Sequence, residues 1–152
     1  MRGRVCQAAV ADDERFEMSR VELDRDGPSF TLDSLRAMRE STPQDELVLI
    51  LGADQASRLR EWREPEEVLR LATVAVAARE GMEHEAVLRR LDGLEGHERI
   101  ELFDMPRLDI SSSLVRERAR AGRPLRYLVP DAVDRLIEAE GLYRSPTPAA
   151  AG

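Results

Sequence analysis

The 152-residue sequence is defined first by what it has little of. It holds one cysteine, Cys6, which excludes an internal disulfide framework and suits a reducing, cytoplasmic setting. Aromatic residues make up only 4% of the chain, and Trp62 is its sole tryptophan. The longest apolar run, residues 47–51, falls far short of the roughly 20 residues a membrane helix needs. Residues 1–8 carry charge without a following apolar stretch, so no secretory leader is expected. Positive charge is also scarce: 23 Lys and Arg stand against 30 Asp and Glu, a net charge of -7. That argues against a nucleic-acid coat, which needs a basic surface excess. The two histidines, His84 and His97, lie in polar stretches without a second ligand at metal-type spacing, so no metal site is expected. Nor can a Ser-His-Asp or Cys-His nucleophile system be assembled. What is present, 42% hydrophobic and 35% charged residues, is the composition of a folded domain.

Periodicity places the elements. Residues 4–13 read as the tail of a helix, and Cys6 within it as a small core residue. Imperfect alternation at Phe16, Met18, Val21 and Leu23 suits a half-exposed strand. A helix follows the turn at residues 26–29, capped by Ser29 or Thr31, with Leu32, Leu35 and Met38 as its buried stripe. Leu47-Val48-Leu49-Ile50-Leu51 and Thr73-Val74-Ala75-Val76-Ala77-Ala78 read as strands buried on both faces, the pattern of a parallel sheet covered by helices. Between them a helix opens at Pro65. Residues 83–91 form a further helix, with Ala86, Val87, Leu88 and Leu91 apolar, and residues 99–103 a short strand. Two last helices end at Gly122 and Gly141. Alternating strand and helix makes the chain α/β: one domain over residues 1–144, then a Pro- and Ala-rich tail, residues 145–152, expected to be disordered.

Three stretches could carry chemistry. Gly52 and Asp54 follow the central strand, where open parallel sheets bind ligands; Gly52 permits close approach and Asp54 could accept from a ribose hydroxyl, or simply cap the next helix. Trp62 could stack on a ring or cover the core beside Leu59. Ser111-Ser112-Ser113 precede a helix whose first amides favour an anion, with Arg116 one turn on. Capping by Ser111 or Ser112, with Arg116 solvated, is the alternative there.

Together, these stretches resemble one family, bacterial nicotinate-nucleotide adenylyltransferase, within the nucleotidyltransferase α/β phosphodiesterase superfamily. The likeness comprises Arg15-Phe16-Glu17 with Val21-Glu22-Leu23; the run Gly27-Pro28-Ser29-Phe30-Thr31-Leu32-Asp33-Ser34-Leu35; Leu51-Gly52-Ala53-Asp54 with Leu59 and Trp62; and Arg79. Further on come Asp109-Ile110-Ser111-Ser112-Ser113 with Arg116, Tyr127-Leu128-Val129-Pro130, and Gly141-Leu142-Tyr143. Phe30 stands where Tyr is commoner and Ser113 where Thr is.

The resemblance implies transfer of AMP from ATP to nicotinate mononucleotide, giving deamido-NAD and pyrophosphate, with Mg2+ on the phosphates. It implies direct in-line attack by the mononucleotide phosphate, catalysed by positioning and charge neutralisation. Ser111, Ser112 and Arg116 would hold ATP, and Gly52 and Asp54 would line the nucleotide site, Asp54 towards ribose. Thr31 and Trp62 would receive the nicotinate ring, Trp62 by stacking and the Thr31 region through backbone amides, with Arg79 at the rim. The family's Gly-x-Phe-x-Pro-x-His-x-Gly-His segment has no counterpart here, so no catalytic or metal residue is assigned. The expected fold is a Rossmann-like parallel sheet with flanking helices that lacks its first two strands, its strand at residues 16–23 pairing directly with that at 47–51, the alternative being a displaced strand and a poorly ordered N-terminal third. Two other readings stay open: a non-catalytic remnant of the family, and an adenylyltransferase acting on nicotinamide mononucleotide. Oligomeric state is left undefined.

Overall fold

The computed structural model describes residues 2–78, 82–106 and 108–143. Arg79 and residues 145–152, for which a rim position and a disordered tail are expected, lie outside them. The chain divides into two compact units, Val21–Arg107 on one side and Met1–Arg20 with Leu108–Gly152 on the other.

Helix α1 (Arg2–Val10) belongs to the second unit, and the first begins with α2 (Thr31–Ser41). Strand β1 (Val48–Gly52) then runs directly into the single turn α3 (Ala53–Ala56). Helix α4 (Pro65–Leu71) leads to β2 (Thr73–Ala78), and α5 (Met82–Leu91) to β3 (Ile100–Asp104). The strands form a parallel sheet in the order β1-β2-β3, Leu49 opposite Val74 and Val76 opposite Leu102. Parallel neighbours require crossovers, and the helices between the strands provide them.

Register sorts the side chains. Leu49 and Leu51 share a face with Val74, Val76, Ile100 and Leu102, and this face meets a core built from Leu32, Leu35, Leu59, Val68, Leu69 and Val87. Helix α2 packs on α4, and α3 on β1, β2 and α5. Pro65 stands at the first position of α4, as read from the sequence, and Glu64 before it takes a left-handed φ of 48°.

The sequence-based expectations need correction at five points. Strand β1 is not buried on both faces: Val48 and Ile50 are 53% and 68% exposed, because helices cover only the face of Leu49 and Leu51. Residues 16–23 form no strand, and the sheet neighbour of β1 is β2. This segment crosses from one unit to the other, Phe16 and Leu23 are exposed, and Glu22 is held instead by α2, accepting from Ser34 Oγ at 2.9 Å. Without an apolar face to bury, nothing drives it into a ladder. Neither Ser29 nor Thr31 caps α2; Phe30 occupies that position without a side-chain bond. Leu88 on α5 is exposed while Val87 and Leu91 are buried, since the contacting face of the helix is narrow. Cys6 is exposed on α1 rather than in a core.

The second unit is helical. Helices α6 (Ser112–Arg120) and α7 (Asp131–Ala139) join α1 around Ala119, Leu125, Val133, Ile137 and Leu142. Each ends as read from its glycine. At α6, Gly122 has φ 64°, with its amide donating to the Ala119 carbonyl and that of Arg123 to Arg118. Gly141 at φ 60° repeats the pattern at α7, donating to Glu138 while Leu142 donates to Ile137. Both are Schellman turns, which favour a residue without Cβ at the left-handed position.

Candidate functional site

Strand β1 delivers Gly52 and Asp54 to its carboxyl end. Gly52 is extended (φ -77°, ψ 157°), and a Cβ placed there would meet nothing within 4 Å, so the protein's own atoms do not require glycine at this position. Asp54 lies in the first turn of α3 and does not cap it; Gly52 holds that place. The Asp54 side chain is exposed and has no hydrogen bond or ion pair among the described residues. It is an acceptor at the strand end where ligands bind in open α/β sheets.

Thr31 and Trp62, far apart in sequence, line one cleft of about 290 Å³ together with Ser29, Phe30, Glu61 and Arg63. Trp62 follows the short 3₁₀ turn Leu59–Glu61, its amide donating to the Leu59 carbonyl at 3.0 Å. Part of its ring packs on the hydrophobic core, and the residue also borders the cleft. The core-covering reading of Trp62 is thus met, and the residue also borders a cleft.

Thr31 opens α2, whose first helical hydrogen bond comes from Asp33 to the Phe30 carbonyl at 3.0 Å. The amides of Thr31 and Leu32 therefore precede the helical ladder, at the end where the helix dipole is positive. Two lining residues, Phe30 and Arg63, are not among the site residues expected from the sequence, where Phe30 figures only as a replacement for Tyr. The Arg63 guanidinium lies over the Phe30 ring, 5.3 Å from the centroid. Their only signal is the adjacency of Phe30 to Thr31 and of Arg63 to Trp62.

In the helical unit, Ser111 caps α6, its Oγ accepting from the Leu114 amide at 3.2 Å. The capping reading is therefore realised, although Arg116 is not freely solvated. It is half-buried and donates from Nη2 to Ser113 Oγ at 3.1 Å. The Ser112 side chain is exposed and makes no hydrogen bond among the described residues. With Leu114 satisfied by the cap, the amides of Ser112 and Ser113 remain outside the helical ladder, next to a guanidinium.

The described residues contain no group of three or more His, Cys, Asp or Glu that could hold a metal ion. His84 Nε2 lies 3.3 Å from Asp104 Oδ1 without the geometry of a hydrogen bond, and His97 Nδ1 lies 3.0 Å from the Leu94 carbonyl oxygen. Among the described residues, no helix is long and apolar enough to cross a membrane.

The cytidylyltransferase-like family, a family of nucleotidyltransferases, matches residues 1–118. The probable nicotinate-nucleotide adenylyltransferase of Roseiflexus sp. strain RS-1 is 43% identical over 142 residues, covering 92% of this chain and 70% of that protein. Its counterpart in Thermus thermophilus is 44% identical over 136 residues, 90% of this chain and 68% of the relative. The chain belongs to the nicotinate-nucleotide adenylyltransferase family. Its fold is similar to that of Plasmodium falciparum nicotinic acid mononucleotide adenylyltransferase. The structures complexed with APC and with NaAD give TM-scores of 0.56 and 0.55 at 20% identity, over 78% and 76% of this chain. The chain spans only 60% and 58% of those structures.

Proposed function

We propose that the protein is a nicotinate-nucleotide adenylyltransferase. A phosphate oxygen of nicotinate mononucleotide attacks the α-phosphorus of ATP; a new P–O bond forms, the bond to the β-phosphate bridge breaks, and deamido-NAD and pyrophosphate leave. The observation that carries this reading is the cleft joining Thr31 to Trp62 in a chain of this family.

Trp62 offers a π face to the pyridine ring, and the amides at the start of α2 offer donors to its substituent. Gly52 leaves open space for close approach of the nucleotide, and Asp54 accepts from ribose. Ser111, Ser112 and Arg116 hold ATP phosphates through the amides of α6 and a charge-assisted guanidinium bond. Arg79 belongs to the same proposal as a residue near the pocket rim. Mg2+, when bound, neutralises phosphate charge, as an ion carried mainly by the nucleotide and water rather than by a protein cage. A cytoplasmic site of action completes the reading.

The test is product formation from ATP, Mg2+ and nicotinate mononucleotide, alongside direct binding of each substrate. Trp62→Ala is expected to weaken the mononucleotide about 5- to 100-fold, the span that base stacking supplies, and to leave ATP nearly unchanged. Arg116→Ala is expected to weaken ATP and spare the mononucleotide. Binding of the mononucleotide without product would overturn the catalytic reading.

A further inference from the structure

The Phe30–Trp62 cleft holds a cation that the adenylyltransferase reading does not use. Arg63 lines it beside Trp62, with its guanidinium 5.3 Å from the centre of the Phe30 ring. Its carboxylate neighbours are only loosely engaged: Asp33 Oδ2 lies 3.7 Å from Nη1 and Glu64 Oε1 3.5 Å from Nε, both beyond a good charge-assisted hydrogen bond. Its side chain is half exposed. The other charged lining residue, Glu61, already accepts from Arg58 Nε at 2.9 Å. The cleft therefore combines an aromatic wall, helix-start amides and a guanidinium with donors to spare.

We propose that Arg63, shelved on Phe30, selects an acid over an amide on the pyridine ring. The proposal rests on the adenylyltransferase reading and deepens it. A pyridinium carrying a carboxylate is locally neutral, and its carboxylate can accept from the guanidinium. A pyridinium carrying a carboxamide keeps its positive charge and meets Arg63 as a like charge. The cation thus favours the acid by attraction and disfavours the amide by repulsion. Stacking on Phe30 limits the side chain's freedom and reduces the ordering cost of that contact.

Trp62 is the sole tryptophan, so its fluorescence reports on this cleft directly. Nicotinate mononucleotide and nicotinamide mononucleotide are titrated separately into the intact protein, into Arg63→Gln and into Arg63→Lys, with thermal melting to show that each variant is folded. The expected result is quenching with acid preferred in the unaltered protein. That preference should fall about tenfold to a hundredfold in Arg63→Gln, mainly through weaker acid binding, and be partly retained in Arg63→Lys. Quenching by both ligands with an unchanged acid-to-amide ratio in Arg63→Gln overturns the role of Arg63 and leaves the cleft assignment standing. No quenching by either ligand in the unaltered protein overturns both the cleft assignment and the proposal.

Discussion

The two units build their candidate ligand surfaces by different means. In Val21–Arg107 a sheet and its helices bury a substantial core, and the cleft is assembled from residues 29–31 and 61–63, distant in sequence and joined by tertiary contacts. In the helical unit the core is a small cluster, and the anion-favouring feature is one helix start whose contacts span only a few residues, Ser111 to Leu114 and Ser113 to Arg116. The first site depends on long-range folding, whereas the second is largely complete once α6 forms. Disturbing the core of each unit should therefore have unequal consequences for ligand binding.

The largest expected effect is on stability. Leu69→Ala removes a fully buried side chain from the larger core and should cost roughly 2–5 kcal/mol, while Ile137→Ala in the smaller cluster should fall towards the low end of that range. Hydrogen exchange resolved by peptide would separate the units. Loss of protection in α4 and β2 with α7 intact after Leu69→Ala supports independent cores; equal loss in both units breaks the comparison. Next comes Ser111→Ala, which removes the cap of α6 and should cost about 1 kcal/mol. Faster exchange is expected at the start of α6, with mononucleotide quenching of Trp62 unaltered; a changed quenching curve would contradict the local character of that site.

A smaller stability change accompanies Ile50→Lys. The side chain is 68% exposed on a strand with a sheet partner on one edge, so the substitution should shift stability by less than about 0.5 kcal/mol. It should also reduce self-association, because charge on an apolar edge opposes strand pairing. Light scattering against concentration checks this, and unchanged association would remove β1 as the sticky surface.

The smallest effect concerns Glu67, whose carboxyl is held below the usual carboxylate range chiefly by hydrogen bonds from Arg70. A lowered folded value means that the ionised pair contributes above the unfolded carboxyl's pKa, and that the contribution is lost as pH falls through the folded value. Arg70 is solvent-exposed and Glu67 only half-buried, so little stability rides on the pair. NMR titration of Arg70→Gln should show the Glu67 carboxyl returning towards its ordinary range while the melting temperature barely moves.

Much of this is legible in the residues. The apolar runs at 47–51 and 73–78 mark parallel strands, Pro65 marks the start of α4, and Gly122 and Gly141 mark helix ends, because these signals act through neighbouring backbone. The family resemblance pairs Thr31 with Trp62 as ring-binding residues, and the cleft brings the two together. It does not bring in Arg63, because a cation between Trp62 and Glu64 reads as surface until Phe30 is found beneath it.

The reverse failure occurs at residues 16–23, where alternation resembles a strand. Alternation forms a ladder only if one side finds a face to bury. Here Phe16 and Leu23 stay exposed, and Ser34 on α2 takes the Glu22 carboxylate. Likewise the composition of β1 states its hydrophobicity without stating how many of its faces are covered.

The sequence by itself determined the class of fold, the start of α4 and the ends of α6 and α7, the family and the chemistry of the individual groups, since each depends on local propensity or on residue type. Only the tertiary structure decided that Val48 and Ile50 remain exposed, that Asp54 is left without a capping bond, and that Arg63 rests on Phe30. Burial and pairing depend on which distant surface arrives, and that is a property of packing.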